Sequence, residues 1–281
     1  MAGESSKAAS PPLLDKPWRE INWRQTALQD VNNYRPFVEG QQIRILLYGP
    51  LGGGRTSFIY SVQSTLRGRM CVSSLDDDIF GGCFIKGYTT YKVIKRSPET
   101  FHPFVLNDIS QDRGVLMDDI KLVFKGHVKD GYRFNPESKL SAGDPFYNEA
   151  PTANDRVHVL VCVVPADKLP CMKAEVKKKI RDVRVEASRL GIPQVAVLTK
   201  VDMACPEVKK DLKNVYRSKY LKEKMEQFSA DVGIPMNCIF PVKNYNEEIN
   251  LNEDVDSLIL SALKHIIDFG DNCINRRIHN V

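Results

Sequence analysis

From residue 43 onward the chain alternates short, nearly continuous apolar runs with longer stretches in which apolar positions recur every three or four residues. The apolar runs are 43–48 (IRILLY), 90–95, 104–108 (FVLND), 158–164 (HVLVCVV), 194–200 (QVAVLTK) and 239–242. Such runs predict strands covered on both faces, as in a mostly parallel sheet. The recurring stretches predict helices. In residues 171–190, Met172, Val176, Ile180, Val183, Ala187 and Leu190 form one apolar stripe, and Gly191 is placed to stop the helix. Residues 207–229 repeat the pattern through Val208, Leu212, Val215, Leu221, Met225 and Phe228, which predicts one long helix. A last helix near 253–269 carries Leu258, Ile259, Ala262 and Ile266 and is expected to end near Gly270. Strands alternating with helices predict an α/β fold in three layers.

The flanks read differently. Residues 1–15 are small, polar and Pro-containing, and predict a disordered tail. Residues 16–40 hold both tryptophans, Trp18 and Trp23, and predict a short lead-in packed on a main domain spanning 41–270. Residues 271–281 are expected to form a C-terminal tail. Residues 130–157, rich in Gly, Pro, Ser, Asn and Asp, predict a long loop inserted before the strand at 158.

Composition narrows the class without deciding it. The chain has 281 residues, enough to bury a core unaided, and 27% are charged against 42% hydrophobic, which excludes wholesale disorder. The net charge of +5 is too small to argue for nucleic acid. No apolar run approaches the roughly 18–20 residues of a transmembrane helix. The start, MAGESSKAASPPLL, lacks a secretory core, and neither a myristoylation nor a prenylation pattern is present. Cys71, Cys83, Cys162, Cys171, Cys205, Cys238 and Cys273 form no CxxC pair and suit free thiols in a cytoplasmic protein, with Cys162 a small core hydrophobe.

The first strand runs into GPLGGGRTS, Gly49 to Ser57. This matches the phosphate-loop pattern G-x-x-x-x-G-K-S/T at Gly49, Gly54 and Thr56, with Arg55 in place of Lys. A Gly-rich loop can turn its N–H groups onto phosphate oxygens, and the helix that follows presents its positive end to the anion. Gly49, Gly52, Gly53, Gly54, Arg55, Thr56 and Ser57 are therefore the candidate phosphate-binding residues, and the Thr56 hydroxyl is a candidate Mg²⁺ ligand. Guanidinium is larger than ammonium and planar, so Arg55 keeps the charge and alters the geometry for transfer. The alternative is a Gly-rich turn without a ligand.

A second signal closes the strand at 194–200: Thr199-Lys200-Val201-Asp202. Ras-like GTP-binding proteins carry N/T-K-x-D at this place. The Asp carboxylate accepts hydrogen bonds from the guanine N1–H and N2–H₂ edge, which adenine does not offer, and a buried polar match of this kind discriminates strongly. Thr199, Lys200 and Asp202 are candidate guanine-binding residues, joined by Lys243 and Asn244 after the strand at 239–242. Asp202 could instead cap a helix starting around Pro206. A strand-end carboxylate, Asp108, is a candidate Mg²⁺ ligand or a turn cap. The Gly of the usual D-x-x-G is replaced by Gln111, and Gly114 lies three residues later. Between the phosphate loop and the next strand, Ser73, Ser74 and Asp76–Asp78 occupy the stretch where a switch Thr would bind metal, while Thr89 and Thr90 read as strand residues.

These residues together resemble the interferon-induced protein 44 and 44-like family. The similarity extends through KPWREI, RILLYGPLGGGRTSF, DDIKLVFKGHVKDGYRFNP at 118–136, VAVLTKVD and LILSALKHII, most of residues 16–270. The resemblance implies a P-loop NTPase fold of the Ras-like G-domain kind, here without the N-terminal TLDc-type domain that often precedes it. It also implies GTP or GDP as ligand with Mg²⁺, an interferon-linked antiviral role in innate immunity in the cytoplasm, protein partners in antiviral signalling, and homodimerisation as in related GTPases. Arg55, the Asp-rich stretch and Gln111 depart from the family pattern at terminal-phosphate and metal contacts, so hydrolysis is expected to be slow or lost and nucleotide binding weakened or Mg²⁺-independent.

One feature stands outside this reading. Residues 171–190 carry Lys173, Lys177, Lys178, Lys179, Arg181, Arg184 and Arg189 against Glu175, Asp182 and Glu186, nearly the whole net charge. A solvated helix face is the simpler account, and without interleaved aromatics single-stranded nucleic acid is disfavoured. Three functions stay open: a GTP-binding protein with weak GTPase activity, a nucleotide-free interaction scaffold of the same fold, and a binder of RNA or membrane surface through the basic helix.

Overall fold

The computed structural model describes residues 13–21, 23, 26–71, 87–95, 100–109 and 114–279. Cys83, the candidate switch residues Ser73, Ser74 and Asp76–Asp78, and Gln111 lie outside the described residues, as do residues 1–12.

Among the described residues six strands form one sheet: β1 (Ile43–Tyr48), β2 (Tyr88–Ile94), β3 (Phe101–Ile109), β4 (Val159–Pro165), β5 (Gln194–Thr199) and β6 (Ile239–Pro241). Their order is β2-β3-β1-β4-β5-β6. Only β2 runs antiparallel, against β3; the other neighbours are parallel. This is the strand order of a Ras-like G domain, and the expected α/β P-loop fold stands. β1 is central because its apolar side chains serve both faces: Ile43, Ile45, Leu46 and Leu47 are fully buried, and every residue of β4 is buried.

The helices are α1 (Thr26–Asn33), α2 (Arg55–Arg67), α3 (Met117–Lys125), α4 (Ala174–Arg189), α5 (Val201–Ala204), α6 (Pro206–Lys210), α7 (Lys219–Val232) and α8 (Glu253–His279). α2 and α8 pack on one face of the sheet, with α1 laid on α8; α4 packs on β4 and β5 on the other, flanked by α3 and α7.

Two helix expectations are corrected. Residues 207–229 are several pieces rather than one helix: α6, a 3-10 turn Leu212–Tyr216 and α7. Pro206 opens α6, Asp211 turns its carboxylate onto the Lys213 N–H, and Ser218 accepts from Leu221 N–H to start α7. The apolar spacing survived because each short piece still faces the core. The last helix does not stop at Gly270; it continues to His279, through most of the segment expected to be a tail. Gly270 is there for closeness: a Cβ at this position would lie 2.5 Å from Ile43 Cγ2, so its absence lets α8 press onto β1.

The lead-in packs beside the start of β6 and the turn that precedes α7. Trp18 meets Tyr216 edge-on at 5.0 Å, and Arg19 spreads over Trp18, Tyr216 and Phe240 while donating to Ile239 O at 2.6 Å. Order already includes Leu13 and Leu14, which pair with Ser218 and Arg217, ahead of the expected boundary at 16. The long insertion is a loop, as expected, but an anchored one. Tyr88 N–H donates to Tyr132 O and Gly131 N–H to Tyr88 O, both at 2.8 Å, and Thr90 N–H donates to Asp130. Leu140 N–H donates to buried Asp119 at 2.8 Å.

Two predictions follow from this packing. In most helix interiors Gly→Ala adds up to about 1 kcal/mol; Gly270→Ala is instead expected to remove about 1–3 kcal/mol by overpacking against Ile43, read as a lower urea midpoint. A midpoint unchanged or raised would mean α8 can shift off β1. The second concerns His102 and His158, both buried in the neutral form. Burial, with Lys95 and Arg35 nearby, lowers the His102 pKa to about 4; burial, with Arg277, Arg44 and Arg156, lowers that of His158 to about 3. Below the unfolded value near 6.5 the unfolded chain binds protons that the folded chain refuses. Stability is therefore expected to fall with falling pH between about 6.5 and 4, each histidine contributing roughly 1.4 kcal/mol per pH unit. Neither ring nitrogen of His102 has a hydrogen-bond partner among the described residues, so His102→Leu is expected to flatten that slope; an unaltered slope would exonerate it.

Candidate functional site

The candidate site lies at the C-terminal ends of β1, β3, β5 and β6, where the parallel strands of an open α/β sheet leave a crevice. β1 ends at Tyr48 and the chain passes through residues 49–54 into α2. Gly49 crosses β4 so closely that a Cβ would lie 2.0 Å from Val163 O. Gly54, at φ 84°, is the N-cap of α2, a left-handed position suited to glycine.

Arg55 is folded beneath this loop. Its Nε donates to Asp108 Oδ1 at 2.6 Å, and Nη1 donates to Gly49 O at 2.5 Å and Pro50 O at 3.1 Å. Thr56 Oγ1 donates to the other carboxylate oxygen, Asp108 Oδ2, at 3.3 Å. The Arg55 and Asp108 side chains are 8% and 11% exposed, so this is a nearly buried ion pair. Under the loop, burial drives the Cys162 thiol up to about 12, which leaves it an inert core group. The two candidate metal ligands, Thr56 and Asp108, thus come together as the sequence suggested. The carboxylate between them is already neutralised by Arg55, and this donor set does not fit a divalent cation.

The candidate base-reading residues divide into two groups. Thr199 Oγ1 donates to Gly53 O at 2.7 Å, and Asn244 Nδ2 donates to Gly54 O at 3.0 Å. These two bind the phosphate loop to the ends of β5 and β6. Lys200 is exposed and takes a left-handed φ of 57°, turning the chain out of β5. Asp202 lies within α5, so it is not the cap of a helix at Pro206; Cys205 holds that place. Asp202 and Lys243 line a cleft of about 430 Å³, with Lys210, Asp211 and Asn252. Lys243 pairs with Glu248 at 2.6 Å. Burial works against the Glu248 carboxylate, but the Asn246 N–H and the Lys243 ammonium hold its pKa down at about 2.

Sequence reasoning missed the support behind Asn244. Tyr245 N–H donates to Ser61 Oγ at 2.9 Å and Tyr245 OH to Asp256 at 2.8 Å, while Thr65 Oγ1 donates to the same Asp256 oxygen at 2.6 Å. The network ties α2, the loop after β6 and α8 together. Its only signal was polar residues on the inner faces of two amphipathic helices, which no local pattern distinguishes from surface positions.

No protein-family model matches the chain. Interferon-induced protein 44 of Mus musculus is 33% identical over 248 residues, covering 85% of this chain and 58% of the relative. Interferon-induced protein 44 and interferon-induced protein 44-like of Homo sapiens are each 32% identical over 256 residues, covering 89% and 88% of this chain. The chain belongs to the interferon-induced protein 44 and 44-like family. It spans 56–58% of the length of these relatives. Among solved structures, Toc33 from Arabidopsis thaliana in complex with GDP and Mg²⁺ aligns with 83% of this chain and 86% of its own at 15% identity and a TM-score of 0.45, a likeness too slight to bear on ligands.

The basic helix of this family member is largely occupied within the protein. In α4, Lys177 pairs with Asp231 at 2.6 Å, Arg181 donates to Asp231 O, Lys178 pairs with Asp182 and Arg189 with Glu186. These contacts favour a structural and solvated face.

The ion pair under the loop gives a stability prediction. Arg55→Met keeps the side chain's bulk but strands the Asp108 carboxylate, and is expected to cost roughly 3 kcal/mol in urea unfolding at neutral pH. A loss below about 1 kcal/mol, the scale of an exposed pair, would mean that water already reaches Asp108.

Proposed function

We propose that this chain is an interferon-induced, guanine-nucleotide-binding protein of innate antiviral immunity in the cytoplasm, with GTP hydrolysis slow or lost. The observation that carries the reading is the joining of two distant motifs: Thr199 and Asn244 fasten the phosphate loop to the strand ends that place Asp202 on a cleft. In the proposed complex the loop N–H groups of Gly52 and Gly54, the α2 N-terminus with Thr56 and Ser57, and Arg55 hold the phosphates, while the Gly53 N–H stays on Pro50 O. Asp202 accepts from the guanine edge, with Lys200 and Lys243 beside the base. Slow hydrolysis follows from charge placement: Asp108 and Arg55 serve each other, and catalysis of phosphoryl transfer depends on fixed charges aimed at the transferred group. Protein partners in antiviral signalling and association of two copies across the nucleotide face belong to the same proposal.

A second reading is favoured by one observation. The corner is electrostatically complete without a ligand, because Arg55 is satisfied by Asp108, Gly49 and Pro50. This suits a nucleotide-free scaffold of the same fold.

Titration with fluorescent GTP and ATP analogues separates the two. GTP is expected to bind at least about tenfold more tightly than ATP, since an unmatched polar edge is strongly rejected. Asp202→Asn is expected to shift preference from guanine towards xanthine nucleotides. Equal and very weak binding of GTP and ATP would leave the scaffold reading; an unchanged preference in Asp202→Asn would mean that the base is read elsewhere.

A further inference from the structure

We infer that Arg55 is the resident cation of the phosphate corner, that it holds polyphosphate without Mg²⁺, and that Asp108 is a counter-ion the incoming phosphate must displace. The identity of the ligand as a nucleotide rests on the reading above; the behaviour of the corner does not.

Arg55 Nε reaches Asp108 Oδ1 at 2.6 Å, and Thr56 Oγ1 reaches Oδ2 at 3.3 Å. A divalent ion bound to Asp108 would sit beside a guanidinium at contact range, in surroundings where the two side chains are 8% and 11% exposed. Two cations there repel far more strongly than they would in water. Among the described residues no group of three His, Cys, Asp or Glu side chains gathers to outweigh that repulsion.

A polyphosphate meets the opposite field. It brings negative charge to a planar donor suited to bidentate binding of phosphate oxygens. The N–H groups of Gly52 and Gly54 and the start of a thirteen-residue helix add further donors, while Gly53 N–H is held by Pro50 O at 3.1 Å. Phosphate and Asp108 therefore compete for one guanidinium. The sign of a familiar experiment reverses: where a strand-end carboxylate binds metal, neutralising it weakens nucleotide binding, whereas here it releases Arg55 and strengthens binding.

The test is titration calorimetry of the full chain with inorganic pyrophosphate, GDP and ADP, each in Mg²⁺ and in EDTA, for wild type, Asp108→Asn and Arg55→Lys. Wild type is expected to bind pyrophosphate equally in Mg²⁺ and EDTA. Asp108→Asn is expected to bind it about tenfold more tightly, the scale of a freed buried charge pair. In Arg55→Lys the compact ammonium leaves the Asp108 oxygens open, and binding is expected to become Mg²⁺-dependent. Wild-type binding that collapses in EDTA overturns the inference. So does weaker binding by Asp108→Asn, or an absence of pyrophosphate binding in all three proteins. Should Asp108→Asn fail to fold, Arg55→Lys decides: acquired Mg²⁺ dependence supports the inference and continued independence overturns it. Equal affinity for GDP and ADP, with pyrophosphate behaving as expected, removes the guanine reading and leaves the resident cation supported.

Discussion

A guanidinium taken out of water has to be met by oxygen atoms, and Arg55 is met by a carboxylate at the end of β3 and by two carbonyls of its own loop. That requirement organises the corner. It fixes α2 against β3, draws the start of the phosphate loop over the top of β4, and gives Asp108 a partner in a place where a lone charge would be costly. The carbonyls of Gly53 and Gly54 are met from the other side by Thr199 and Asn244. Loop carbonyls are thus taken up by side chains from three separate stretches of sequence, and the Gly53 N–H turns back onto Pro50 O.

The division of labour bears on function. A phosphate site in which the cation and a metal-binding carboxylate are aimed at the reacting group is suited to transfer chemistry, because fixed charges need no reorganisation as the reaction proceeds. A site in which cation and carboxylate neutralise each other at rest is suited to holding. Membership in the interferon-induced protein 44 and 44-like family places the chain among proteins whose name records how they are induced; the chemistry of the corner is argued from this chain's own residues.

Much of the fold was legible because period and burial coincide. Near-continuous apolar runs such as 158–164 are found where strands are covered on both faces, and β4 is buried at every position. The helix boundaries were less legible. Gly270 looked like a stop because glycine usually ends helices, but its lack of a Cβ serves contact with Ile43 instead. Residues 207–229 kept a helical spacing across breaks at Asp211 and Ser218, since a broken segment can still bury the same stripe. At the site, motif spacing found Arg55, Asp108, Thr199 and Asn244, yet could not show that Arg55 and Asp108 would join. That pairing depends on the register of β1 against β3, which sets Leu47 opposite Asp108. Tyr245 and Asp256 were invisible for the same reason: their meaning lies in a contact between elements.

The insertion between α3 and β4 has a consequence for how copies of this chain can meet. β2 is the last strand on its side of the sheet, and an uncovered last strand is a template on which another polypeptide can extend the ladder. Bonds from Gly131, Tyr132 and Asp130 to Tyr88 and Thr90 consume part of that template. Growth of the sheet from one molecule into the next is thereby obstructed along the start of β2, where backbone pairing with a second polypeptide is not open.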